Sequence, residues 1–221
     1  MTKAFVAVNR QVIAAVAIVA IVISVGLTIS NLRAPKASVT SFQALGWGAA
    51  QETARFLRNQ GDIALICPDF GKFKILNPRY DALLKSYTKT IAKTTGLRIT
   101  QVERAPVNPP TMARVGIYLS AEQYDALSKK YAKSSAIVAF VALPSLTDSS
   151  IRAGQSSGAK WLIVSDYGPE YKRLLAREAM RLAIVPRLQD PPEFPKPRTL
   201  QEEFERDYEV ITPNRASELP E

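Results

Sequence analysis

There is no histidine in these 221 residues, and only one cysteine, Cys67. The first absence removes the commonest general base and the commonest transition-metal ligand together. The second excludes an intrachain disulfide and a cysteine-built zinc site. No G-x-G-x-x-G loop and no nucleoside-triphosphate lysine pattern occurs, so the glycine-rich routes to holding a phosphate are missing. Ser145, Ser149, Ser150, Ser156 and Ser157 cluster in sequence but have no histidine to activate them. Cys67 closes an apolar run and reads as a core thiol, not a nucleophile. These absences predict a non-enzyme: no catalytic residues, no metal site, no cofactor.

Acidic residues are also in short supply, 20 against 29 basic ones, and they are unevenly placed. From Asp190 onward there are 9 acidic and 4 basic residues; before it, 25 basic and 11 acidic give a balance of +14. A basic body suits anionic lipid headgroups, nucleic acid or an acidic protein. No RNA-binding signature with interleaved aromatics is present, so the reading is no nucleic acid.

One stretch has no charge at all: Gln11 to Leu32, QVIAAVAIVAIVISVGLTISNL. About 20 apolar residues at a helical rise of roughly 1.5 Å cross a hydrocarbon core. The run is longer than the apolar part of a signal peptide and lacks an Ala-x-Ala site, so it predicts a retained single-pass transmembrane helix. Lys3 and Arg10 precede it and Arg33 and Lys36 follow it. A signal-anchor would leave the amino end cytoplasmic and the body extracytoplasmic, in a periplasmic setting. Membrane lipid is then one partner.

The expected organisation is a tail (1–10), the transmembrane helix (11–32), a linker (33–40), an α/β domain (41–187) and a proline-rich acidic arm (188–221). Within the domain, Ser41 is placed to cap a helix that stops near Gly61. Ile63 to Cys67 is apolar on successive residues, as in a parallel strand covered on both faces. Leu97 to Val102, Ala136 to Leu143, Trp161 to Val164 and Leu182 to Val185 repeat the pattern. Between them come helices: one opened by Asn77-Pro78 with Tyr80, Leu83, Leu84, Tyr87 and Ile91 on one face, one opened by the capping box Ser120-x-x-Gln123, and one after Gly168-Pro169. Arg114 to Leu119 reads as short strand or irregular, and Ser145 to Gly158 as loop with one helical turn at most. The fold class is α/β: a mostly parallel sheet flanked by helices. In the arm, Thr199-x-x-Glu202 is a second capping box, opening a short helix with Leu200, Phe204 and Tyr208 aligned. That stripe either docks on a partner or returns to its own domain.

The order helix–GDIALICPDFG–helix–LRITQVER–helix–SAIVAFVALP–AKWLIVSDYGP, with the phrase AEQYDALSKKYAKSSAIVAFVALP, resembles one lobe of type I periplasmic substrate-binding proteins. A generic flavodoxin-like layout is the alternative. The resemblance spans roughly Ser41 to Arg187. It implies a ligand cleft, but such proteins close two lobes around a ligand and this chain has residues for about one.

In open α/β sheets ligands sit beyond the carboxyl ends of the strands. That edge is expected to carry Asp69, Ser145 and Asp166, for a small-molecule ligand. Lys72, Lys74 and Arg79, leading into the second helix, suit an anionic one. The same residue types also serve as helix caps, turn residues and a solvated basic loop. Two functions follow: an accessory or structural subunit gripping other subunits of a membrane complex, or a membrane-tethered small-molecule-binding domain.

Overall fold

The computed structural model describes residues 39–70, 77–107, 117–166, 168, 170–187 and 197–219. The expected transmembrane helix at 11–32, the tail, most of the linker, and both Lys72 and Lys74 lie outside these residues. Among the described residues no helix is long and apolar enough to cross a membrane.

In chain order the elements are α1 (Val39–Phe56), β1 (Gly61–Asp69), α2 (Asn77–Ile91), β2 (Leu97–Pro106), α3 (Ala121–Lys130), β3 (Ala136–Ala139), α4 (Asp148–Ser156), β4 (Lys160–Val164), α5 (Tyr171–Ala176), β5 (Leu182–Pro186), α6 (Leu200–Asp207), β6 (Tyr208–Ile211) and a closing 3-10 turn (Pro213–Glu218). The six strands form one sheet in the order β2-β1-β3-β4-β5-β6. Five are parallel, and β6 runs antiparallel to β5, with Ala183 opposite Ile211. The strand order reverses at β1, which has β2 on one side and β3 on the other.

Successive strand residues serve opposite faces, and each face has its own core. Ala64, Ile66, Ile137, Trp161, Ile163 and Val185 pack with Tyr124, Leu127, Ile151, Tyr171 and Leu174 of α3, α4 and α5. Ile63, Leu65, Cys67, Val138, Leu162 and Ile184 pack with Ala44, Ala49, Leu83, Tyr87 and Phe204 of α1, α2 and α6. This two-sided burial is why the strands read as unbroken apolar runs.

On the second face α1 sits deep because two glycines permit it. A Cβ on Gly46 would lie 2.2 Å from the Leu83 carbonyl oxygen of α2, and one on Gly48 would lie 2.1 Å from the Phe204 ring of α6. Helix backbones approach this closely only where no side chain intervenes. Ser86 Oγ donates to the Gln43 carbonyl at 2.7 Å, tying α2 to α1.

Three local readings differ from expectation, and the open reading at 114–119 falls on the irregular side where it is described. The first helix begins at Val39, so Ser41 lies inside its first turn and does not cap it; its hydroxyl donates instead to Glu203 Oε1 at 2.7 Å. Ser145 to Gly158 holds a nine-residue helix, α4, where at most one turn was expected. Its serines and glycine have low helix propensity, but Thr147 caps it by accepting from Ser150 N at 3.2 Å, and Ile151 is buried beneath it. The stretch 117–119 contributes only a bridge, Tyr118 to Ala142. The end of the chain does not stand off as an arm: 199–219 supplies α6, the edge strand β6 and the 3-10 turn, and falls within the same compact unit as the rest of the domain.

Candidate ligand-binding edge

The carboxyl ends of β1, β3, β4 and β5 form one edge of the sheet. At β1 it begins with Asp69, exposed, followed by Phe70, buried. The Tyr80 ring of α2 lies 4.9 Å from the Phe70 ring and 5.8 Å from that of Phe42 in α1. The Arg79 guanidinium lies 5.9 Å from the centre of the Phe42 ring. Such a contact fixes the cation in place while leaving its charge available.

Asp166, just beyond β4, completes the grouping. Its carboxylate keeps an exposed edge, yet the protein around it raises its pKa above the ordinary aspartate value. Burial pushes the Tyr80 hydroxyl up to about 12, and the Asp166 charge adds to the shift. Tyr208, at the start of β6, is raised by burial first, then by Asp207 and by Asp166. The Asp166 charge thus bears on Tyr80 and Tyr208, which lie far apart in the sequence. On the other side of the sheet Tyr171 is fully buried. Burial raises its pKa, and Asp166 contributes there as well.

The positions expected from sequence separate accordingly. Arg79 lies over the Phe42 ring, and Asp166 follows β4 at the same edge. Ser145 is exposed beyond β3 and Asp69 is exposed at the end of β1. Lys72 and Lys74 are outside the described residues. Tyr80 was legible only as part of a helical stripe, and nothing in its spacing marks it as a neighbour of Asp166. Phe204 is buried against α1, with its ring 6.4 Å from Trp47 and 5.8 Å from Tyr208. Leu200 and Tyr208 pack half-buried on the same core. The stripe of α6 therefore returns to its own domain, one of the two outcomes open in the sequence.

Chemically the edge offers stacking faces, phenol hydroxyls and a carboxylate. No cluster of three or more cysteine, aspartate or glutamate side chains suited to a metal occurs among the described residues. Cys67 is buried, and burial pushes its thiol up to about 11, against a smaller opposing effect of Arg104. A neutral thiol of that kind is a poor nucleophile.

No protein-family model and no curated protein matches the sequence. Solved structures do match the fold. GanP, a glucose-galactose binding protein from Geobacillus stearothermophilus, aligns at 13% identity and a TM-score of 0.50, covering 81% of this chain and 62% of its own. AraP, an arabinose binding protein from the same organism, aligns at 12% and 0.51, covering 81% and 63%. The chain is similar in fold to periplasmic sugar-binding proteins. A third match is the periplasmic binding protein component of the arabinose ABC transporter from Shewanella sp. ANA-3, bound to α- and β-L-arabinofuranose, at 13% identity, a TM-score of 0.51, and 80% and 59% coverage. The resemblance to type I periplasmic substrate-binding proteins thus holds at the level of fold. The chain spans less than two thirds of the length of each of these structures.

Proposed function

We propose that this protein is a non-catalytic, membrane-tethered domain that binds a small polar molecule of the sugar class at the carboxyl edge of its sheet. The observation that supports the reading is the aromatic group centred on Tyr80, with Phe42 and Phe70 against its ring, at the same carboxyl edge as Asp166. Aromatic faces pack against the C–H surface of a sugar ring, while a carboxylate and phenols hydrogen-bond its hydroxyls. The neighbours in fold bind glucose, galactose and arabinose, which supports the class of ligand without identifying it. The uncharged run at 11–32 is the tether, with the domain on the extracytoplasmic side.

The test is calorimetric titration of the full chain in detergent with glucose, galactose, arabinose and related pentoses and hexoses. Saturable binding of at least one sugar is expected, weakened about tenfold or more by Tyr80→Ala, which corresponds to roughly 1.4 kcal/mol. If no sugar binds, or if binding is indifferent to Tyr80 and Asp166, the reading is wrong.

The other reading, an accessory subunit of a larger membrane complex, is favoured by one separate observation: a basic groove on the helical face away from the strand ends.

A further inference from the structure

Between α1 and α2, closed at one side by the first residue of α6, runs a groove of about 430 Å³. Trp47, Ala82 and Leu200 give it an apolar floor, and Lys85, Lys89 and Lys93 line one wall. Lys85 and Lys89 lie four residues apart on α2, so at a helical rise of 1.5 Å their Cα atoms step along the wall by about 6 Å, and Lys93 follows in the turn just past the helix. All three are exposed, and none has an acidic partner among the described residues. Several other surface cations do have acidic partners. Lys130 meets Glu103 at 2.8 Å, Arg98 meets Asp62 at 2.9 Å and Arg177 meets Asp148 at 2.7 Å.

We propose that this groove is the docking site for an acidic amphipathic helix of a partner protein. Carboxylates at every fourth position of such a helix repeat with the same step as the lysines, and its apolar flank meets Trp47 and Leu200. A flat anionic bilayer would reach the lysine heads but leave the concave apolar floor unfilled. A nucleic-acid backbone would match the charge and leave the same floor bare. The proposal makes no use of the carboxyl edge, so it stands or falls separately from sugar binding.

The probes are a library of helical peptides of about 16 residues, with glutamate at every fourth position and varied apolar residues on the adjoining flank. They are screened against the full chain in detergent, with Trp47 fluorescence and anisotropy as readouts. Polyphosphate and phosphatidylglycerol vesicles serve as competing polyanions. Library members are expected to bind saturably and to shift the Trp47 emission. Reversing Lys85→Glu, Lys89→Glu and Lys93→Glu together is expected to weaken binding by about tenfold or more, and raising salt to weaken it in the wild type. Leu200→Asp is expected to weaken peptide binding while leaving the lysines in place, with circular dichroism confirming that each variant is folded. The idea is overturned if no library member binds the wild type better than the charge-reversed variant. It is overturned equally if polyphosphate or the vesicles compete as strongly as the best peptide and Leu200→Asp changes nothing, since the lysines are then a generic polyanion surface.

Discussion

The two helical faces of the sheet are built on different principles. The face carrying α3, α4 and α5 is made of connections between consecutive strands, and its core is dominated by a Tyr124–Trp161 stack with ring centroids 4.9 Å apart. Part of its surface charge is paired: Asp148 meets both Arg173 and Arg177, and Arg173 also meets Glu170. On the other face α2 connects β1 to β2 and α6 lies in the connection from β5 to β6, whereas α1 precedes the first strand. α1 comes from the beginning of the described domain and α6 from its end, and they are held to each other by Gly48 under the Phe204 ring and by Ser41 donating to Glu203. Its outer surface leaves three lysines without acidic partners and an apolar floor beside them. One face is built from successive strand connections; the other brings together helices from the two ends of the described domain and depends on long-range contacts.

The sharpest way to break this comparison is at the α1–α6 contact. Phe204→Ala is expected to cost about 3–5 kcal/mol, because the ring is buried on a glycine surface that cannot collapse to fill the void. Chemical denaturation of the full chain in detergent measures it. A loss below about 1 kcal/mol, within the range of an ordinary surface substitution, would mean that α6 is peripheral. Asp148→Asn on the opposite face should be far milder, within about 1 kcal/mol, since its ion pairs are half exposed and screened. A large effect there would show that this face leans on its charges after all.

The smallest effect concerns the edge between the two faces. The Asp166 pKa is raised in the folded protein above its ordinary 3.8. The folded state therefore keeps a proton that the unfolded chain has released. Stability contributed by this group is greatest below that ordinary value and declines as pH rises through the folded pKa. Asp166→Asn is expected to melt slightly higher than wild type at pH 7, the difference closing as pH falls below about 4. A variant that melts lower at neutral pH would show that the carboxylate stabilises the edge. The expected sign fits a residue kept for binding at some expense in stability.

Much of the sheet was visible in the residues alone. Ile63 to Cys67 and Ala136 to Leu143 read as strands buried on both sides because parallel strands covered by helices must be apolar on successive positions. The box at Ser120 forms as its residues predict, with Gln123 N donating to Ser120 Oγ and Ser120 N donating to Gln123 Oε1. The second box is only half of one. Glu202 N donates to Thr199 Oγ1, but the Glu202 carboxylate accepts from Arg198 N, one residue before the cap. The candidate site was less legible. Asp166 was reachable as a strand-end residue, whereas its pairing with Tyr80 and Tyr208 joins residues far apart in the chain, and no local pattern encodes that.

Composition and periodicity alone determined the lack of histidine chemistry, the uncharged run at 11–32 and the alternation of parallel strands with helices, since each depends on residues near one another in sequence. Tertiary structure decided the rest: that α4 forms despite weak propensity, that β6 completes the sheet, that the α6 stripe turns inward onto Gly48, and that three lysines face a groove without counter-charges. Those outcomes depend on which surfaces meet across the fold, and burial of a ring or pairing of a charge is a property of the meeting, not of either partner.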